Sequence, residues 1–210
     1  YFEVGSGMEG NSTIEQERRA VICQVFSDIS QFIETPNPNI HVNILVKNIN
    51  SELNGYDPIT NPNPSASSGV LGLATGYYVL PSLGPNIIGG IADNEIWKTI
   101  NSGIDSYTNV ASPLSSTSSS NNGSGYYHGM VALNFNNPSI NWHLDLSQNT
   151  SNGLYDLYSV ILHEVTHALG FASLIDVNGD SKFGTNFPYY SRYDLFLNSP
   201  SNQPLITNTG

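Results

Sequence analysis

Charge is scarce in this 210-residue chain: Asp, Glu, Lys and Arg make up only 11% of it, against roughly 25% in ordinary soluble domains. Cations are scarcest, with six Lys and Arg against 17 Asp and Glu and a formal charge of −11. Such a surface repels phosphate backbones and anionic lipid, which argues against nucleic-acid binding. A single cysteine, Cys23, rules out any intrachain disulfide. It lies in the helical-looking "RRAVICQVF" and is expected to be a buried, inert thiol; the alternative is a thiolate masking a metal in a latent enzyme. No apolar run approaches the ~20 residues needed to cross a bilayer. No signal-peptide pattern opens the chain at Tyr1-Phe2-Glu3, so the start reads as a processed or trimmed terminus. No repeat period is present.

Asn, Ser, Thr and Gly carry the polar surface instead, which is uncommon for a cytosolic enzyme and points to secretion. The length suits one domain with a real core. Sequons at Asn11, Asn122 and Asn149 are expected by chance in so Asn- and Ser-rich a chain.

Ser12 or Thr13 can cap a helix from about Ile14 to Ile33, with Ile14, Val21, Val25, Ile29, Phe32 and Ile33 at helical spacing and Pro36 beyond. "IHVNILV" alternates, with Ile40, Val42, Ile44 and Val46 on one face and His41 and Asn43 on the solvent side. Residues 61–69 form a loop, and "VLGLATGYYVL" after it is strand-like. Asp93 can cap a short helix over "NEIWKTINSG", with Gly103 as its C-cap. The low-complexity run at 112–125 is a surface excursion within the same domain. "GMVALNFNN" is a further strand, Val131, Leu133 and Phe135 alternating with Ala132, Asn134 and Asn136.

"LHEVTHALGFAS", residues 162–173, carries the chemistry. On a helix from about Asp156 to Leu169, ended by Gly170, Leu154, Ile161, Val165 and Ala168 gather on one side, flanked by Leu157, Tyr158 and Leu169. At about 100° per residue, His163 and His167 fall ~40° apart and nearly opposite that stripe. Two neutral imidazoles one turn apart can bind one zinc ion, and a catalytic zinc keeps a position for water. Glu164 is then placed to act as general base and to carry the proton on to the leaving amine. The alternative is a polar face with two incidental histidines.

These residues resemble the zincin metallopeptidases and, within them, the metzincins, whose pattern is H-E-x-x-H-x-x-G-x-x-H or the same with a final Asp. The resemblance implies His163 and His167 as zinc ligands, Glu164 as base and Gly170 as the glycine that turns the chain after the helix. It implies an α+β fold: a mixed sheet, an N-terminal helix, an active-site helix, an upper subdomain over 1–170 and a short lower one over 171–210. It also implies an edge strand before the active-site helix that binds peptide antiparallel, a place taken here by the strand near 130–137. The stretch from "ALNFNNPSINWHLDL" to "YSRYDLFL" is similar to a group of secreted bacterial metallopeptidases related to the metzincins.

Two departures stand out. Ser173 occupies the third-ligand position, where a neutral hydroxyl is a poor zinc ligand. The only methionines, Met8 and Met130, precede the helix, so the metzincin Met-turn has no methionine here. The favoured third ligand is Asp194, a carboxylate in the apolar stretch "YDLFL" whose burial a metal would offset. His143, His128, Asp176 and Asp180 are alternatives, and Asp194 can instead pair with Arg192 or cap a helix. Asp176, Asn178 and Asp180 also outline a weak calcium loop or a plain Asn-Gly turn. Tyr190 or Tyr193 can hydrogen-bond an oxyanion or serve only in packing. The expectation is a secreted, monomeric zinc endopeptidase; the competing readings are an adhesion module with a structural or vestigial metal site, and a zinc amidase with a non-protein substrate.

Overall fold

Ser12 starts helix α1 (Thr13–Ser30) with a capping box: its hydroxyl accepts from the Glu15 amide while the Glu15 carboxylate reaches back 3.1 Å to the Ser12 amide. The computed structural model describes residues 1–49, 69–79, 89–105, 127–184, 186 and 188–206. The loop at 61–68, the run at 112–125 and Asn122 lie outside them. α1 buries Val21, Ile22 and Val25 and ends three residues before the predicted Ile33, leaving Phe32 88% exposed. Cys23 is exposed, which corrects the expectation of a buried thiol. At 100° per residue, position 23 turns away from the stripe formed by 21, 22 and 25.

The strands are β1 (Ile44–Asn48), β2 (Gly72–Gly76), β3 (Tyr78–Val79), β4 (Gly90–Asn94), β5 (Gly129–Leu133), β6 (Trp142–His143), β7 (Tyr155–Asp156) and β8 (Tyr189–Ser191). The remaining helices are α2 (Glu95–Ser102), α3 (Leu157–Ala168) and a 3-10 turn at Tyr193–Phe196. Among the described residues this is an α+β arrangement of three α-helices and small mixed sheets. No helix among the described residues is long and apolar enough to cross a membrane.

β5 lies between β1, which it pairs in parallel, and β2, which it pairs antiparallel. That overturns the placement of a peptide-binding edge along 130–137, because both edges of β5 are already hydrogen-bonded. All five of its residues are buried, so its alternation separates two covered faces rather than a wet face from a dry one. Among the described residues β1 and β2 flank this sheet on either side. Val46, Val131 and Leu133 pack with Val21, Ile22 and Val25 of α1 and with Leu157, Ile161 and Val165 of α3 in one core cluster. Leu154, predicted for the same stripe, precedes α3 and is 37% exposed. Tyr158 adds a polar tie, donating 2.8 Å to Asp28 on α1.

β4 holds a second sheet together, pairing antiparallel with β3 and parallel with β8. The stretch after Gly170 is thereby joined to residues that precede the motif helix. The cap of α2 is Asn94, not Asp93: the Asn94 side chain accepts from the Trp97 amide, while Asp93 pairs with Arg192 at 2.6 Å. Gly103 ends α2 at φ 66, as its sequence position predicts.

Candidate metal centre

Asp156 caps α3, accepting the Ser159 amide at 3.0 Å. The helix closes with Gly170 donating to the His167 carbonyl at 3.0 Å and Phe171 to the Thr166 carbonyl at 3.1 Å, a turn that needs the φ of +105 that Gly170 adopts. One side of α3 buries Leu157, Ile161, Val165 and Ala168. His163 and His167 project from the other, their Nε2 atoms 3.0 Å apart and their rings at 83°. Two nitrogens on one tetrahedral zinc stand about 3.3 Å apart, so the pair fits two positions on a single ion.

The tautomer of His167 agrees with that use. Its Nδ1 lies 2.8 Å from the Phe171 carbonyl, which can only accept, so the proton is on Nδ1 and the lone pair on Nε2. Glu164 lies beside the pair at 8% exposure. Burial pushes its carboxyl above the ordinary carboxylate range, against the pull of His163 and His167. β2 passes directly over it: a Cβ on Gly72 would lie 3.0 Å from the Glu164 Cγ and 3.2 Å from the Ala132 carbonyl. A glycine inside a strand marks such a close approach, and "VLGLATG" displayed it without revealing what it approached.

Asp194 is not brought to the histidines. Its carboxylate is fully buried, and Oδ2 accepts the Leu174 amide at 3.0 Å and the Ser191 amide at 2.7 Å, tying the 3-10 turn to the stretch after Gly170. Two backbone donors offset the desolvation of that oxygen, while Oδ1 is buried with no hydrogen-bond partner among the described residues. Nor does Asp194 pair with Arg192, whose guanidinium binds Asp93 and lies 4.3 Å over the Trp97 ring. His143 is held by the Gln148 carbonyl at 3.0 Å. Asp176 and Asp180 turn their oxygens onto a tight hairpin: Asp176 accepts the Val177 amide and Asp180 the Asn178 side chain, both at 2.8 Å, around Gly179 at φ +88. That hydrogen bonding is the pattern of an Asn-Gly turn.

Among the described residues, the one group of three metal-ligating side chains within 4.8 Å of one another is Glu95, Asp105 and His128. The chemistry of His128 argues against a metal there. Its Nδ1 accepts the Asn43 amide at 3.0 Å, so Nδ1 carries the lone pair and Nε2 the proton. That Nε2–H faces Asp105 at 3.4 Å, so a metal there has to displace its proton at the cost of the bond to Asn43. The three ligand atoms sit together, with Glu95 and His128 buried. Burial, with help from Asp105, pushes the Glu95 carboxyl up to about 8, and burial pushes the His128 imidazole down. Sequence reading missed Glu95, although its spacing to Ile96 and Thr99 puts it on the buried face of α2.

A cleft of ≈ 340 Å³ opens beyond the C-terminal end of α3, walled by Tyr78, Trp97, Leu169, Phe171, Tyr193 and Phe196. Tyr193 meets Phe171 edge-on at 6.3 Å. Burial and the nearby Asp194 charge push the Tyr78 phenol up to about 12, so it stays protonated. Comparison with protein-family models, with curated proteins and with solved structures gives no match for this chain.

Proposed function

We propose that the chain is a zinc-dependent endopeptidase of metzincin-like zincin type, with His163 and His167 as two zinc ligands and Glu164 as general base. One observation carries the reading: two imidazole nitrogens converge at 3.0 Å, and the Phe171 carbonyl fixes the lone pair of His167 toward the shared point. Zinc held there supplies Lewis acidity to the scissile carbonyl and acidifies a water. Glu164, buried beside the pair, takes the proton of the attacking water and delivers it to the leaving amine.

β2 is the strand that supports peptide capture. Its outer edge is unpaired among the described residues, it runs antiparallel to β5, and Gly72 brings its backbone over Glu164. A peptide adding to that edge is held by its backbone beside the base. The aromatic cleft beyond Gly170 suits a bulky apolar side chain. A surface poor in charge and rich in Asn and Ser supports secretion.

Zinc stoichiometry tests the metal. The parent chain is expected to bind one zinc, and His163→Ala and His167→Ala each to weaken it by about 100-fold or more. Unchanged affinity in both variants would exclude this centre. Zinc bound at the pair without any peptide cleavage would favour the non-catalytic adhesion reading.

A further inference from the structure

Asn94 stands where three backbones converge, 4% exposed at the end of β4 and the start of α2. Its Oδ1 accepts the Trp97 amide at 3.1 Å and its Nδ2 donates to the Ala168 carbonyl at 3.1 Å. The first bond caps α2. The second satisfies a carbonyl in the last turn of α3, where intrahelical partners run out, one residue after His167.

The surroundings are stripped of side chains to admit this amide. A Cβ on Gly76, at the end of β2, would collide with the amide nitrogen and lie 2.8 Å from the Ala168 carbonyl. A Cβ on Gly170 would lie 3.0 Å from the Asn94 Cβ. The Gly170 turn therefore rests on Asn94, and that turn places the Phe171 carbonyl which holds His167 Nδ1 at 2.8 Å. The same residue fixes α2, whose Trp97 walls the cleft.

We propose that Asn94 is a positioning residue, which sets the His167 imidazole by holding the last turn of α3 and the Gly170 turn against α2. The proposal rests on the reading of His163 and His167 as a metal centre. A side chain that orients a ligand's hydrogen-bond partner governs metal affinity without touching the metal.

The test titrates Zn²⁺ against a chromophoric chelator, and records the visible absorption of Co²⁺ as a spectroscopic signature, in the parent, Asn94→Ser, Asn94→Asp and Gly103→Ala chains. Ser and Asp keep a capping acceptor for Trp97 but remove the donor to Ala168. Gly103→Ala loosens the far end of α2, where φ is +66 and a Cβ would meet Asn37, without touching α3. Both Asn94 variants are expected to lose about tenfold in zinc affinity and to alter the cobalt spectrum, while Gly103→Ala keeps both at matched loss of thermal stability. Parental affinity and spectrum in a folded Asn94 variant overturn the proposal. So does an equal loss in Gly103→Ala, or failure of both Asn94 variants to fold, since the residue is then only structural. If the parent binds no zinc that His163→Ala removes, the functional reading fails and this inference with it; if it does, a null result at Asn94 counts against the inference alone.

Discussion

Glu95→Gln should flatten the pH dependence of stability between about pH 6.5 and 8. In the folded chain the Glu95 carboxyl titrates near 8 because burial, then the Asp105 charge, oppose its ionisation. In the unfolded chain it titrates near 4.3. The folded state therefore binds the proton more tightly, and stability is fully present below the unfolded value and lost as pH rises towards 8. At about 1.4 kcal/mol per pH unit, Glu95 removes about 2 kcal/mol between pH 6.5 and 8. His128 and the Tyr1 amine, both lowered by burial, act in the opposite sense, and Glu164 acts in the same sense. Glu164 and the Tyr1 amine are common to both chains and cancel in the difference; His128 lies in the same cluster as Glu95, so the difference reports those two together. Urea unfolding followed by tryptophan fluorescence at several pH values gives the slopes. Parallel slopes in parent and variant would refute this account of Glu95. So would stabilisation by zinc that persists in His163→Ala and disappears in Glu95→Gln, the behaviour of a metal held at Glu95, Asp105 and His128.

Three further outcomes follow from the contacts. Asp194→Ala strands the buried amides of Leu174 and Ser191 and should cost on the order of 3 kcal/mol in thermal unfolding, with zinc affinity unchanged; a tenfold loss of affinity would return Asp194 to the metal. Gly72→Ala puts a methyl 3.0 Å from the Glu164 Cγ and should lower kcat on a peptide about tenfold with zinc retained; an unchanged kcat would remove β2 from the site. Trp97→Ala opens the cleft wall and should raise KM by about 10-fold for peptides with a bulky apolar residue, and not for those with alanine there; equal effects on both would refute the assignment of that pocket.

What was legible in the sequence was local. The cap at Ser12, the start of α3 near Asp156, the Gly103 and Gly170 turns and the buried stripe of α3 all follow from neighbours within one or two helical turns. What was not legible depends on partners far along the chain. Asp93 looked like the better cap of α2, but Arg192 claims it and Asn94 has the amide needed to reach Ala168 as well. Alternation in β5 cannot say whether a strand is central or outer, because a second covered face looks like a wet one when its residues are small or polar. For Asp194 the sequence signalled a buried carboxylate in need of compensation; Leu174 and Ser191 supply it to Oδ2 from the backbone, and Oδ1 has no hydrogen-bond partner among the described residues. Glu95 and His128 meet only through the folding of α2 against the start of β5, and no local pattern joins them.

The central claim is that Glu164 acts on peptide substrate beside a zinc held by His163 and His167. Its most direct test is casein cleavage by Glu164→Ala with zinc content measured on the same sample. The account predicts parental zinc and cleavage reduced by at least about 100-fold; full proteolysis in the zinc-loaded variant would contradict it.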